Sequence, residues 1–184
     1  FGGSESEDYC DKGFTLEDEL NKFKIPYEKN GKEIKYDHSH PIIINLINSN
    51  DHFEKGIGIR FAGEEYGATT GRTRRNGWTD LVLTKDALRY DMDRHGRRIL
   101  VITKPDVLNS VDEYKICTAH KVNCEEMNID GRTYRQGDVV DTFIRDVKFL
   151  RNVNPIYTRF DGWKSDLSEF RDYESLPENF KKGV

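Results

Sequence analysis

The stretch that most constrains the fold is residues 67–80 (GATTGRTRRNGWTD), which combines flexible, hydroxylic and cationic residues with a large aromatic side chain. Glycine lets the backbone turn its N–H groups outward, and neighbouring threonine hydroxyls add hydrogen-bond donors for an anion. Arginine adds a planar fork that matches a carboxylate or a phosphate. The donors of these kinds are Thr69, Thr70, Gly71, Arg72, Arg74 and Arg75. The stretch therefore predicts an anion-binding loop.

The residues directly after this loop have the apolar spacing of a helix. The pattern covers residues 78–93, and Gly96 is a candidate C-cap. The loop is therefore predicted to lie at or before a helix N-terminus, which is the end that favours negative charge.

Two other interpretations of the loop stay open from the residues alone. A solvated basic loop before an ordinary helix would have the same composition. A nucleic-acid surface would use the second basic cluster, Arg94, His95, Arg97 and Arg98. However, the net charge of −4 gives no general attraction to nucleic acid or anionic membranes, and no apolar run reaches spanning length. We expect neither partner.

A second candidate site follows residues 99–102 (ILVI), a continuous apolar run typical of a strand buried on both faces. Residues 103–106 turn off its carboxyl end, where ligands bind in open α/β sheets. A fixed carboxylate such as Asp106 can accept hydrogen bonds from guanine N1–H and the 2-amino group, whereas adenine has no N1–H. Lys104 can lay its aliphatic stem along the base. An ordinary cap or turn role for Asp106 stays open.

Three motifs follow one another along the chain: residues 63–80 (GEEYGATTGRTRRNGWTD), 100–109 (LVITKPDVLN) and 154–177 (NPIYTRFDGWKSDLSEFRDYESLP). In order and spacing they resemble the adenylosuccinate synthetase elements GxEFGxTTGRxRRxGWxD, LTKxDVLDG and PxYExxPGWKxDxxxxRxxxxLP. The resemblance covers residues 63–182. It implies an α/β fold in which part of a mostly parallel sheet is flanked by helices. Residues 1–184 would then be a single partial domain that corresponds to the family's C-terminal half.

The resemblance also implies a function in purine nucleotide biosynthesis. The family joins L-aspartate to IMP at the expense of GTP: the purine 6-oxygen is phosphorylated, and the aspartate amine then displaces phosphate. Mg²⁺ is the implied cofactor, with ligands outside this chain, and a homodimer is expected. The implied aspartate- and IMP-binding residues are Thr69, Thr70, Gly71, Arg72 and Arg74, and the implied GTP-binding residues are Arg74, Lys104 and Asp106.

Some family elements have no counterpart in this sequence. Nothing resembles the phosphate loop with its essential aspartate or the catalytic histidine, so no catalytic residue is assigned and the chain alone is expected to be inactive. Missing segments, or another chain, would complete the ligase. Two alternatives stay open: a 2-aminoadenylosuccinate-type ligase acting on (d)GMP, and a non-catalytic nucleotide-binding module.

The first third of the chain has little resemblance to the family. Residues 10–58 are predicted to be an insertion after a weak echo of the family at residues 1–8 (FGGSESED). Within the insertion we expect an amphipathic helix over residues 14–24, with Thr15 as N-cap and Asp18 in the capping-box position. Asn30 and Gly31 predict a hairpin turn. Further predictions are a buried strand or short packed segment at 41–46, a strand at 114–122, a turn at 130–131, a helical segment at 143–152 and a last helix at 177–182.

The three cysteines, an odd number in a long chain, indicate a reducing and therefore cytoplasmic environment. Cys117, His120 and Cys124 have the spacing C-x2-H-x3-C, but a convincing fourth ligand is lacking and Cys117 falls in a predicted strand. We therefore predict no metal site.

Overall fold

The computed structural model of the protein describes residues 13–90 and 95–183. They form two compact units. The first unit contains the described residues of Phe1–Gly77, Lys104–Tyr114 and Asp161–Val184, and the second contains those of Trp78–Thr103 and Lys115–Phe160. The predicted echo at residues 1–8 lies outside the described residues.

Helices and strands are mixed along the chain, as predicted. The α-helices are α1 (Leu16–Phe23), α2 (Pro41–Ile47), α3 (His52–Gly63), α4 (Leu81–Leu88), α5 (Val147–Arg151) and α6 (Glu178–Lys181). The strands are β1 (Tyr27–Asn30), β2 (Glu33–Tyr36), β3 (Thr79–Asp80), β4 (Glu113–Val122), β5 (Glu126–Ile129), β6 (Arg132–Arg135), β7 (Val139–Val140) and β8 (Val153–Asp161). Short 3₁₀ helices cover Pro105–Leu108 and Leu167–Glu169. None of the helices within the described ranges is both long and apolar enough to cross a membrane.

The local signals at the start of the chain are confirmed. The Thr15 side chain accepts a hydrogen bond from the Asp18 N–H, and the Asp18 carboxylate accepts one from the Thr15 N–H at 2.9 Å. This reciprocal capping box fixes the start of α1. The hairpin of β1 and β2 turns at Gly31, whose φ of +61° is available to glycine without strain.

Residues 41–46 form a helix, so the strand alternative is wrong. Pro41 occupies the first turn, where the missing N–H costs nothing. The apolar residues Ile43, Leu46 and Ile47 are buried at helical spacing. Helix α2 packs closely on α3 at Gly58. A Cβ at this position would lie only 2.4 Å from the Ile47 backbone nitrogen, so the contact requires glycine.

The α/β fold class is confirmed in its mixed helix and strand content, and the sheet is mixed rather than clearly mostly parallel. Strand β4 is its centre: it pairs in parallel with β3, antiparallel with β7, and also with β8. Strands β5 and β6 form a separate antiparallel hairpin through the predicted turn at Asp130 and Gly131. Short hairpin connections join antiparallel neighbours, as in the β5–β6 pair.

Residues 99–102 form no strand, contrary to prediction. Their side chains are 48–73% exposed. An apolar run becomes a buried strand only where neighbouring strands and packed layers cover it, and none of the elements in the described ranges does so.

The second unit has a core of its own beneath β4 and the β5–β6 hairpin. Its buried members are Val122, Met127, Ile129, Tyr134 and Phe149. Phe149 belongs to α5, which is the helical part of the segment predicted over residues 143–152. Its ring packs edge to face on that of Tyr134, with centroids 5.1 Å apart. The last predicted helix is also confirmed, as α6.

A buried ion pair holds the first unit together. Glu19 of α1 is 0% exposed and Arg60 of α3 is 3% exposed, and an Arg60 guanidinium nitrogen lies 3.1 Å from a Glu19 carboxylate oxygen. The Tyr66 hydroxyl donates to the other Glu19 oxygen at 2.7 Å. Burial, reinforced by the charge of Glu19, raises the pKa of Tyr66 far above its ordinary value, so the phenol remains a donor.

We predict that Glu19→Gln lowers the free energy of unfolding by about 3–5 kcal/mol, because the buried guanidinium loses its counter-charge. Urea unfolding of the full chain measures this. Glu17→Gln is the matched control, since Glu17 pairs with Lys29 at the exposed surface and should matter little. Equal effects of the two changes would contradict the importance of the buried pair.

Candidate functional site

The predicted anion loop is a tight turn closed by its own backbone. The Gly67 N–H donates to the Arg72 carbonyl at 2.8 Å, and the Gly71 N–H donates to the Gly67 carbonyl at 2.7 Å. Gly71 adopts a φ of +66°, the left-handed conformation that glycine takes most easily. These hydrogen bonds therefore give the loop one defined backbone conformation.

Backbone contacts tie this loop to the chain before α1. Thr15 and Arg72 form an antiparallel bridge, and the Thr73 N–H donates to the Phe14 carbonyl at 2.9 Å. The Arg60 guanidinium donates to the Arg74 carbonyl at 2.6 Å. Arg60 therefore connects the buried ion pair of the first unit to the loop at Arg74.

These contacts correct one part of the sequence-based prediction. We expected freed backbone N–H groups in the loop, but those of Gly67, Gly71, Thr73 and Arg74 all donate to main-chain carbonyls. Side-chain donors of the loop are also exposed to an anion. Thr69, Thr70 and Arg72 are exposed, and the described part of the chain holds no ion-pair partner for the Arg72 guanidinium.

The predicted helix N-terminus is not available to an anion either. Helix α4 begins at Leu81 rather than at residue 78, and Asp80 is its N-cap. One oxygen of the Asp80 carboxylate accepts hydrogen bonds from the N–H groups of Val82 and Leu83 at 2.9 and 3.2 Å. The protein's own carboxylate therefore occupies the positive end of this helix.

The predicted base-reading residues lie on a tight turn in the first unit. Lys104 takes a left-handed conformation with φ of +53°, and the 3₁₀ helix Pro105–Leu108 begins directly after it. The Lys104 ammonium donates to the Gly63 carbonyl at 2.8 Å and lies 3.8 Å from Glu65. The Asp106 carboxylate is exposed at the surface of this turn.

Glu65 connects the two predicted sites, and the sequence reasoning did not single it out. One carboxylate oxygen lies 3.0 Å from the Arg74 guanidinium, and the other lies 3.8 Å from the Lys104 ammonium. The signal was present, because Glu65 belongs to the GEEYG start of the first motif. Its carboxylate holds two cations that would otherwise repel each other.

The second and third motifs also contact each other. The Trp163 indole N–H donates to the Asn109 side-chain oxygen at 3.0 Å, and the Asn109 amide donates to Asp166 at 3.2 Å. The indole is buried between the rings of Tyr114 and Phe180, at centroid distances of 5.3 and 5.2 Å. The hydrogen bonds of Asn109 thus fix the C-terminal end of the turn that carries Asp106.

A cavity of ≈ 480 Å³ adjoins this turn. Its lining includes both predicted base readers and polar residues from four other segments: His38, Ser39, Gly63, Glu64, Lys104, Asp106, Asn109, Ser110, Asp166 and Ser168. Of the predicted aspartate-binding residues, none lines this cavity in the described structure; Gly71 instead lines a second cavity of ≈ 360 Å³ beside Thr15 and Tyr66. The structure therefore places Lys104 and Asp106 at one cavity, and Glu65 links Lys104 to Arg74 of the loop.

His38 is an exposed histidine that lines the larger cavity. Its ring stacks on Tyr36 with centroids 4.5 Å apart, and a ring nitrogen lies 3.3 Å from Glu64. No sequence signal marks this position, because the contact joins segments that are distant along the chain.

A separate polar cluster lies in the second unit. A His120 ring nitrogen lies 2.8 Å from the Asp80 carboxylate, and the Cys117 sulfur belongs to the same group of atoms, all within 4.8 Å of one another. Burial, together with the charge of Asp80, raises the pKa of Cys117 to about 11. The third member of this group is therefore Asp80 and not Cys124, which the sequence spacing had placed with Cys117 and His120.

Comparisons with known proteins converge on one family. A family model described as adenylosuccinate synthetase matches residues 45–184. The chain is 40% identical over 129 residues to an adenylosuccinate synthetase of Clostridium botulinum, a match that covers 70% of this chain and 26% of the relative. It is 42% identical over 129 residues to that of Fusobacterium nucleatum, with the same coverage. The chain therefore spans about a quarter of the length of the curated relatives it matches.

A solved structure, described as fully ligated adenylosuccinate synthetase from Plasmodium falciparum, resembles the chain with a TM-score of 0.53 and 30% sequence identity. The match covers 74% of this chain and 29% of that one.

The loop conformation generates a prediction about Gly71. Because a Cβ at Gly71 would meet no atom within 4 Å, Gly71→Ala should destabilise only through the backbone, by about 1 kcal/mol. Gly71→Asn is the control, since asparagine tolerates the left-handed conformation better. Urea unfolding compares the two variants. Full tolerance of alanine would show that the loop does not hold this conformation.

Proposed function

Because this chain belongs to the adenylosuccinate synthetase family, we propose that it supplies the aspartate- and guanine-binding groups of a GTP-dependent ligase that joins L-aspartate to IMP. The observation that carries the proposal is the Glu65 carboxylate, which links Arg74 of the loop to Lys104 of the base-reading turn. Two motifs that the family resemblance assigns to different substrates are thereby held by one side chain.

The loop is proposed to bind the dicarboxylate and the IMP. The exposed hydroxyls of Thr69 and Thr70 and the exposed guanidinium of Arg72 are the proposed donors. A small dianion needs several such charge-assisted donors to leave water. Holding the amine of aspartate against the activated purine is the catalytic contribution of such a site, because orientation supplies much of the rate. Arg74 would exchange or share its contact with Glu65 when substrate enters.

The turn at Lys104 is proposed to read the guanine of GTP. The Asp106 carboxylate would accept from N1–H and the 2-amino group at the mouth of the ≈ 480 Å³ cavity. The Lys104 ammonium is held by Gly63 and Glu65, which leaves its aliphatic stem as a surface for the base. Discrimination against adenine follows from the unpaired carboxylate that adenine would leave.

Mg²⁺ is the family's implied cofactor, but the described residues do not fit it. Mg²⁺ favours oxygen ligands in octahedral geometry. In the described ranges the one group of three or more candidate metal ligands contains a thiol and an imidazole. The described residues of this chain are therefore proposed to act without binding a magnesium ion. The chain's proposed role is to bind and orient substrates, and alone it is proposed to be inactive.

The first prediction from this proposal concerns base selectivity. Asp106→Asn replaces two acceptors by one acceptor and one donor, which mismatches the guanine 2-amino group but suits the carbonyl of xanthine. We expect GTP binding to weaken by tenfold or more and XTP binding to strengthen, as measured by calorimetry with GTP, XTP and ATP.

Asp166→Asn is the matched control, since it removes another carboxylate from the same cavity wall. It should keep the preference for GTP. An unchanged order of nucleotides in Asp106→Asn, or no GTP binding by the wild-type chain, would contradict the guanine assignment.

The second prediction concerns the loop. Arg72→Lys loses the planar fork while keeping the charge, so the dissociation constant for L-aspartate should rise at least tenfold. Arg75→Lys is the control, because no substrate role is assigned to Arg75. Calorimetric titration with L-aspartate compares the two variants. Equal affinities of the Arg72→Lys and Arg75→Lys variants for L-aspartate would favour the alternative that the loop is a solvated basic surface.

A further inference from the structure

The pairing of β3 with β4 places three metal-ligand side chains together in the second unit. Asp80 ends β3 and lies opposite Cys117 in the parallel register. His120 lies three residues further along β4, and one ligand atom from each side chain falls within 4.8 Å of the others. The juxtaposition joins residues 40 positions apart in the chain. None of the three is among the proposed substrate-binding residues of the loop or the residues that line the cavity.

The donor set indicates the kind of ion. Thiolate and imidazole favour borderline-soft metals, and a carboxylate completes the range of ligands found at zinc sites. We propose that Asp80, Cys117 and His120 form a binding site for a divalent cation of the zinc class, with a fourth position left for water.

The ligand atoms need only small movements to close on an ion. Zinc bonds of about 2.0–2.3 Å in tetrahedral geometry separate ligand atoms by about 3.3–3.8 Å. The Asp80 and His120 ligand atoms are 2.8 Å apart and share a hydrogen bond. They would separate slightly as the ion takes the place of the bridging proton, which moves to Nδ1 of His120. The Cys117 sulfur, which now contacts the Ala119 carbonyl at 3.3 Å, would turn inward and release its proton to solvent.

The surroundings of His120 and Asp80 are compatible with an ion in place of this hydrogen bond. His120 is 4% exposed, and its Nδ1 has no hydrogen-bond partner in the described part of the chain. The neutral tautomer that carries its proton on Nδ1 would leave Nε2, the nitrogen that faces Asp80, free to bind a metal. The Asp80 side chain is 30% exposed, which gives an ion a route to the buried thiol and imidazole.

Two features of Asp80 suit it to this role. One oxygen caps α4 through Val82 and Leu83, which fixes the carboxylate's orientation. The other oxygen faces His120 and is the one available to a metal. The supporting hydrogen bonds thus orient a ligand in advance, as they do around metal sites in general. A bound ion would join β3 and the start of α4 to β4.

Cobalt(II) tests the site directly because thiolate coordination gives a charge-transfer band in the near ultraviolet and visible bands from the metal. The full chain carrying Cys10→Ser and Cys124→Ser keeps only the Cys117 thiol. We expect this variant to develop both bands at one equivalent of Co²⁺, and Zn²⁺ to displace the cobalt. Adding Cys117→Ser should abolish the charge-transfer band.

Asp80→Asn retains an N-cap acceptor for α4, and its cobalt affinity should fall at least tenfold. His120→Gln should do the same. A circular dichroism spectrum shows that each variant is folded, and a Zn²⁺-dependent rise in melting temperature in the wild-type chain, absent from Cys117→Ser, is a second readout. The proposal is overturned if the Cys117-only variant shows no charge-transfer band with millimolar Co²⁺. The same band in Cys117→Ser would also overturn it. Neither outcome bears on the proposed ligase role.

Discussion

The buried pair of Glu19 and Arg60 is the interaction on which the first unit depends. Two charges this deeply buried are tolerated because they neutralise each other. Arg60 lies within the residues that the family model matches, and Glu19 lies before them. The same guanidinium binds the carbonyl of Arg74. The chain that precedes the family match therefore helps to set the shape of the loop that carries the family motif.

Local chemistry explains which parts of the fold could be predicted. The capping box at Thr15 and the turns at Gly31 and Gly131 involve residues a few positions apart, so the sequence carries the whole signal. Residues 41–46 and 99–102 are apolar runs without such signals. The first became a helix because Pro41 suits a helix start and α3 offers Gly58 for close packing. The second found no covering layer among the described elements, and pattern alone does not reveal that.

The candidate sites divide in the same way. Lys104 and Asp106 were predicted from a motif, and the structure places both at one cavity. Glu65 and His38 act through contacts with residues far along the chain, so their positions required coordinates. Asp80 is the clearest case: its role as a helix cap is local, but its approach to Cys117 and His120 depends on the register of β3 against β4. The cysteine and histidine spacing was visible in the sequence, and their partner was not.

The proposed division of labour, with a loop for aspartate and a turn for guanine, rests on where the nucleotide binds. A crystal structure of the full chain soaked with GTP tests this most directly. The account predicts the guanine in the ≈ 480 Å³ cavity, with the Asp106 carboxylate within hydrogen-bond distance of N1 and the 2-amino group. A nucleotide bound elsewhere, or a base in this cavity that does not contact Asp106, would contradict it.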